Sequence, residues 1–260
     1  SVLPMDPCRS QRPENEEQPV HPIFGYAFIS DYEEGLIIVN VRTLIDGDPA
    51  NNFLKRAATF NPGGLLSGAV YVRIAGTHAY VLSDQTGLVV LDVSDPTHPQ
   101  VVATLGSPAI VDPRSIDIQF RYAFVCDVSG LAIIDVTSPS RPSHVATVPL
   151  RDARDVNVMR TYAYVAAGPD RLAIVNVERP AAPGEPEYFA AAGCMNDATG
   201  IVTGANHASF FAYVADGCNG LRVVQLLSPS DGPEVKGFSP APRPRLIATY
   251  PTRGPAVSLS

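Results

Sequence analysis

The sequence predicts an all-β fold, a β-propeller of about five four-stranded antiparallel blades. Three observations predict it. A triplet with a small Ala between two ring side chains recurs at Tyr26, His78, Tyr122, Tyr162 and Phe211. About ten residues after each, past a turn, runs a β-branched segment: GLIIVNV, GLVVLDV, GLAIIDV, RLAIVNV and GLRVVQL. Most of these pairs are flanked by two more short alternating segments, which makes four strands in a unit of about 40–50 residues. No stretch sustains a helical period.

Composition agrees. The 260 residues are 45% hydrophobic and 17% charged, enough apolar matter for one large core. The 20 Gly and 25 Pro stand at the ends of apolar runs, as turn punctuation. Trp is absent, so the WD-type and kelch-type signatures have nothing to rest on.

Taken in order, residues 1–21 are polar, Pro-rich and aperiodic, and read as a tail or linker. The repeat units follow at approximately 22–60, 69–105, 114–150, 154–191 and 198–250. First strands are legible as AVYVRIA, RSIDIQF, RDVNVMR and ATGIVTG, whereas unit 1 has none, because QPVHPIFG carries two prolines and no alternation. Third strands are nearly continuous in Val, Ile and Leu, as expected where neighbours cover both faces. Asn40, Asp92, Asp135 and Asn176 end four of them, where a short side chain can bond the backbone N–H two residues on. Residues 253–260 end in the alternating AVSLS, placed where another first strand is due. This segment is expected to pair with Tyr26–Ser30 and close the ring, which would remove two exposed sheet edges.

GLVVLDVSDPTHPQVVATL and GLAIIDVTSPSRPSHVATV resemble the LVIVD repeat, a propeller-forming repeat of bacterial and archaeal proteins, many of them exported. The resemblance covers roughly residues 22–250, with Arg171 in place of the turn Gly and Gln225 in place of the strand-end Asp or Asn. It implies the fold and an extracellular, cell-surface or periplasmic setting. It implies no reaction, since the repeat brings no catalytic residues to transfer.

A net charge of −7, with 19 basic and 26 acidic residues, argues against nucleic acid as a partner. No apolar run approaches the ~18–20 residues of a membrane span. The chain begins at Ser1 without Met, so a processed or excised product is expected.

No catalytic, cofactor or metal motif is present. The histidines His21, His78, His98, His144 and His207 form no ligand pair. Asp46 to Asn51 resembles the start of a calcium loop, but Ala57 stands where the bidentate Glu is needed. Of the cysteines, Cys126 is expected to be a buried thiol, Cys194 and Cys218 a disulfide between two loops of one face, and Cys8 has no assignment. Turns after the second strands carry Asp31, Glu33, Glu34, Asp84, Asp127, Asp170 and Asp216, an acidic face that could meet a cation or a basic partner, although solvated turns are acidic by default. Two functions follow as expectations. One is a non-catalytic interaction or scaffolding module holding a protein or surface polymer, within a larger extracellular assembly. The other is a hydrolase or lyase with its site at the mouth of the central channel.

Overall fold

The structure is a computed structural model and describes residues 21–44, 47–232 and 237–259. The residue 1–20 part of the tail, including Cys8, lies outside the described residues, as do Asp46 and Ser260.

Among the described residues nineteen strands form five separate antiparallel sheets, each a sequential meander. Blade 1 is β1 (Tyr26–Asp31), β2 (Gly35–Asn40) and β3 (Lys55–Phe60). Blade 2 is β4 (Ala69–Ala75), β5 (His78–Ser83), β6 (Gly87–Asp92) and β7 (Gln100–Leu105). Blade 3 is β8 (Ser115–Gln119), β9 (Tyr122–Asp127), β10 (Gly130–Asp135) and β11 (Ser143–Pro149). Blade 4 is β12 (Asp155–Met159), β13 (Tyr162–Ala166), β14 (Leu172–Asn176) and β15 (Glu187–Phe189). Blade 5 is β16 (Gly200–Asn206), β17 (Ser209–Ala215), β18 (Leu221–Leu227) and β19 (Arg245–Tyr250).

Packing follows the sequence pattern. Leu88, Val89, Val90 and Leu91 of β6 are fully buried, and Leu131 to Ile134 of β10 likewise, because adjacent blades cover both faces. Each such side chain contributes about 1.5–3 kcal/mol relative to exposure. The core is four slabs, one between each consecutive pair of blades from 1–2 to 4–5. Ala79, Ala123, Ala163 and Ala212 at the centres of the triplets are also fully buried. They leave room for the flanking rings, of which Tyr80, Phe124 and Tyr164 face these slabs. The strand-end side chains do what their type allows: Asn40, Asp92, Asp135 and Asn176 accept from the N–H of Arg42, Ser94, Thr137 and Glu178 at 2.8–3.0 Å.

Among the described residues blade 1 has three strands and no inner one, and Pro22–Gly25 form a short 3₁₀ turn before β1. Among the described residues no pairing joins the C-terminal segment to β1, so the expected closure of the ring is not shown. Ala256 bridges Gly217 of blade 5, and the Thr199 hydroxyl donates to the Ala256 carbonyl at 2.8 Å. Gly168 and Ala198 make the same bridge between blades 4 and 5. The segment thus stands at the start of a further inner strand, beside β16, but β1 pairs with β2 alone. The backbone at Ser258 lies against Gly200, which has no side chain to hold it off.

Candidate functional site

The inner strands β4, β8, β12 and β16 are each paired on one side only, so alternate N–H groups point away from their own sheet. In this protein the preceding blade supplies the acceptors. Ser115 and Asp117 stand two apart on β8, on one side of the strand. Ser115 Oγ accepts from Val156 N at 3.1 Å, and Asp117 Oδ2 accepts from Val158 N at 2.7 Å. One blade on, Asp155 Oδ2 accepts from Ile201 N at 2.9 Å and Asn157 Oδ1 from Thr203 N at 3.0 Å. Arg73 of β4 completes the level by an ion pair to Asp117 Oδ1 at 2.7 Å.

At one end of the inner strands an ion-pair chain runs across three blades. Arg114 donates to Asp152 at 2.7 Å, Arg154 grips the same carboxylate at 2.8 Å, and Arg154 reaches on to Asp197 at 2.7 Å. The two guanidinium groups hold the Asp152 carboxyl below its usual range although burial opposes them. Burial raises the Asp155 carboxyl, against the lowering by its N–H and hydroxyl donors. Asp117 is 3% exposed and takes a guanidinium, two backbone N–H groups and the Asn157 amide. The carboxylates of Asp117, Asp152 and Asp155 each accept from two or more donors, whereas Asp197, partly exposed, takes Arg154. Among the described residues no group of three or more His, Cys, Asp or Glu is placed to hold a metal ion.

Of the seven acids expected to form an acidic face, Asp31 and Asp127 end β1 and β9 and the others follow second strands, but they are mostly turned to local use. Asp31 accepts from Glu33 N and Glu34 N, and Asp127 from Ser129 N, Gly130 N and Val111 N. Asp216 is fully buried, accepts from Asn196 N and Asp197 N, and pairs with Arg222 at 3.0 Å. Glu34 pairs with Arg56, Asp170 with Arg151 at 3.1 Å, and Asp84 accepts from the Tyr32 hydroxyl at 2.6 Å. Only Glu33 is exposed without a role in such a bond. The polarity of these turns follows from their geometry, since the first acid of a tight turn caps the N–H groups two and three residues on.

Cys126 is buried and free, as expected, and burial pushes its thiol far up. Cys194 and Cys218 are both exposed free thiols, not a disulfide. Their loops do adjoin, but through Asn219 Nδ2 donating to Asn196 Oδ1 at 2.9 Å and through Arg222 held on the Cys194 carbonyl at 2.6 Å.

At the opposite end, between the hairpin tips of blades 3 and 4, a cavity of about 370 Å³ opens. Its walls include Phe120, Tyr122, Val158 and Pro180, with Arg121, Arg160 and Glu178 at its edges. Phe120 and Arg160 occupy the first tip position with φ of 56° and 57°, where blade 2 has Gly76 at 60°. A bulky side chain in this left-handed region costs on the order of 1–3 kcal/mol. Arg160 is compensated, since its guanidinium lies 4.2 Å from the Phe210 ring centre and 5.5 Å from that of Phe238. Phe120 is 76% exposed. Sequence reading passed over both tips and the polar face of the inner strands; the alternation in RSIDIQ and RDVNV was the available signal for the latter.

Comparison with known proteins places these features. The LVIVD repeat model matches residues 25–56, 68–105, 112–149, 150–190 and 210–231, over half the chain. No curated protein sequence matches. Among solved structures, a functionally unknown protein from Desulfotomaculum acetoxidans is similar, with a TM-score of 0.65 and 13% identity over 88% of this chain and 67% of that one. The computationally designed Ika8 protein gives 0.57 and 8% identity over 91% and 62%, and Kluyveromyces lactis Hsv2 gives 0.50 and 13% over 77% and 57%. The chain therefore spans about two thirds or less of the length of these structures, and at such identities the likeness is one of fold. With its five matched repeats, each seated in its own blade, the chain belongs to the LVIVD repeat family.

Proposed function

We propose that this chain is a non-catalytic binding module, working outside the cytoplasmic membrane, that holds a protein or surface polymer against its loops. One observation carries the reading: the carboxylates of Asp117, Asp152 and Asp155 on and beside the inner strands, where an enzyme of this architecture would place its acid and base, are each held by two or more donors from the protein itself. A general acid or base must exchange a proton with substrate, and carboxylate oxygens occupied by the protein's own donors are not presented to one. The export setting rests on the resemblance to exported repeat proteins.

Fractionation of source cells with chemical cross-linking tests it. The expected result is recovery outside the cytoplasmic membrane, cross-linked at fixed stoichiometry to one partner. Turnover of an ester, glycoside or polysaccharide substrate that disappears in Asp117→Asn, at unchanged fold, would overturn it in favour of the hydrolase or lyase reading.

A further inference from the structure

We infer that the cavity between the tips of blades 3 and 4 is a docking site for an acidic peptide segment anchored by one large apolar side chain, a proposal that rests on the binding-module reading. Four features point there. The cavity, about 370 Å³, has the size of a ligand pocket and suits one aromatic or large aliphatic side chain with its backbone. A second, smaller depression of about 110 Å³ lies alongside, shares Glu178 as a wall and adds Arg179. Two neighbouring depressions that share a wall fit the successive side chains of an extended chain better than one compact molecule.

The charge at the mouth favours an anion. Arg121, Arg160 and Arg179 stand about the two depressions with Glu178, and Asp135 lies within electrostatic reach of Arg121, so cations still outnumber carboxylates there on a chain whose net charge is −7. Arg121 leans over the Tyr122 ring at 5.8 Å, and neither it nor Arg179 makes an ion pair with a described carboxylate. Arg160 is already fixed between two rings, so it meets a ligand without further ordering.

Phe120 is the fourth feature. Its ring is held in solvent by a backbone conformation that Gly would adopt freely, as Gly76 does at the matching tip. Nothing in the fold is gained by that choice, whereas an exposed, pre-positioned ring beside an apolar cavity is the anatomy of an interface anchor.

The test is fluorescence anisotropy with the full chain and a labelled heptapeptide, Asp-Glu-Asp-Phe-Asp-Glu-Asp. Saturable binding is expected, at least about tenfold weaker for the same peptide with Ala at the centre and for Phe120→Gly or Arg121→Glu. Phe120→Gly relieves the tip and should not lower the melting temperature, so loss of binding there is not loss of fold. No saturable binding, equal binding by the two protein variants, or equal binding by a peptide with Lys for every acid would overturn the proposal. Equal competition by N-acetylphenylalanine would also overturn it, in favour of a small-molecule site. A cross-linked partner whose capture ignores Phe120→Gly would leave the binding-module reading standing and remove this site from it.

Discussion

Asp155 is placed where its charge is costly and its lone pairs are needed. It closes the N–H groups of Val156 and Ile201, yet burial raises its pKa. A group raised in the folded state stabilises below its unfolded value, about 3.9, and that contribution is lost as pH climbs through the folded value. Asp155→Asn should therefore gain on the wild type in melting temperature as pH goes from about 4 to 7. A gap that moves the other way would mean that the carboxylate is favoured charged. Asp31, Asp92 and Asp135 have the opposite sign, lowered by the turn N–H and hydroxyl groups they accept from. Asp95, set to about 2 by the Thr97 hydroxyl and then His98, belongs with them. Their contribution holds at neutral pH and fades as pH falls below about 4. Cys126, buried with its thiol pushed up, should resist a thiol-alkylating reagent in the native protein while Cys194 and Cys218 react. Peptide mapping by mass spectrometry after brief labelling decides it, and early labelling of Cys126 would contradict the packing of blade 3.

The strands and turns repeat one solution with local departures. Gly35, Gly87, Gly130 and Gly220 open the third strands with φ between 79° and 132°, and a Cβ at Gly130 would lie 2.2 Å from the Val148 carbonyl oxygen. Blade 4 has Arg171 there instead, at φ 76°, with Nε buried and without a hydrogen-bond partner. Arg171→Gly should therefore stabilise the protein by about 1 kcal/mol, a rise of roughly 2–4 °C in melting temperature. Unchanged or lower stability would show that the guanidinium makes good its strain. Ile133→Ala, in a fully buried third-strand position, should cost about 2–5 kcal/mol in denaturant unfolding. This level was the most legible in sequence, because a third strand covered on both faces must be apolar throughout and a strand-end Asn or Asp caps its own turn. The C-terminal segment shows the limit. Alternation in AVSLS marked it as an inner strand and the Gly217–Ala256 bridge stands where one would start, but among the described residues no pairing with β1 follows, and alternation alone does not specify a partner edge.

Across the molecule, apolar slabs press the blades together and polar side chains of the inner strands join them near the axis. This second device was hidden in the sequence. Ser115, Asp117, Asp155 and Asn157 are the polar positions of alternating strands, and only the stacking of successive blades sets them against the next blade's backbone. For the same reason the acids most visible in the sequence, in the turns, are mainly turn caps, and the tip at Phe120 gave no periodic signal at all. The joining of blades by side chain to backbone is the central structural claim, and amide hydrogen exchange reads it residue by residue. Without acceptors, outward N–H groups of a one-sided strand exchange quickly. The N–H groups of Val156, Val158, Ile201 and Thr203 should instead be protected, and Asp117→Ala should release Val158 while Ile201, held by Asp155, stays slow. Fast exchange of Val158 in the wild type, or protection that survives Asp117→Ala, would contradict the account.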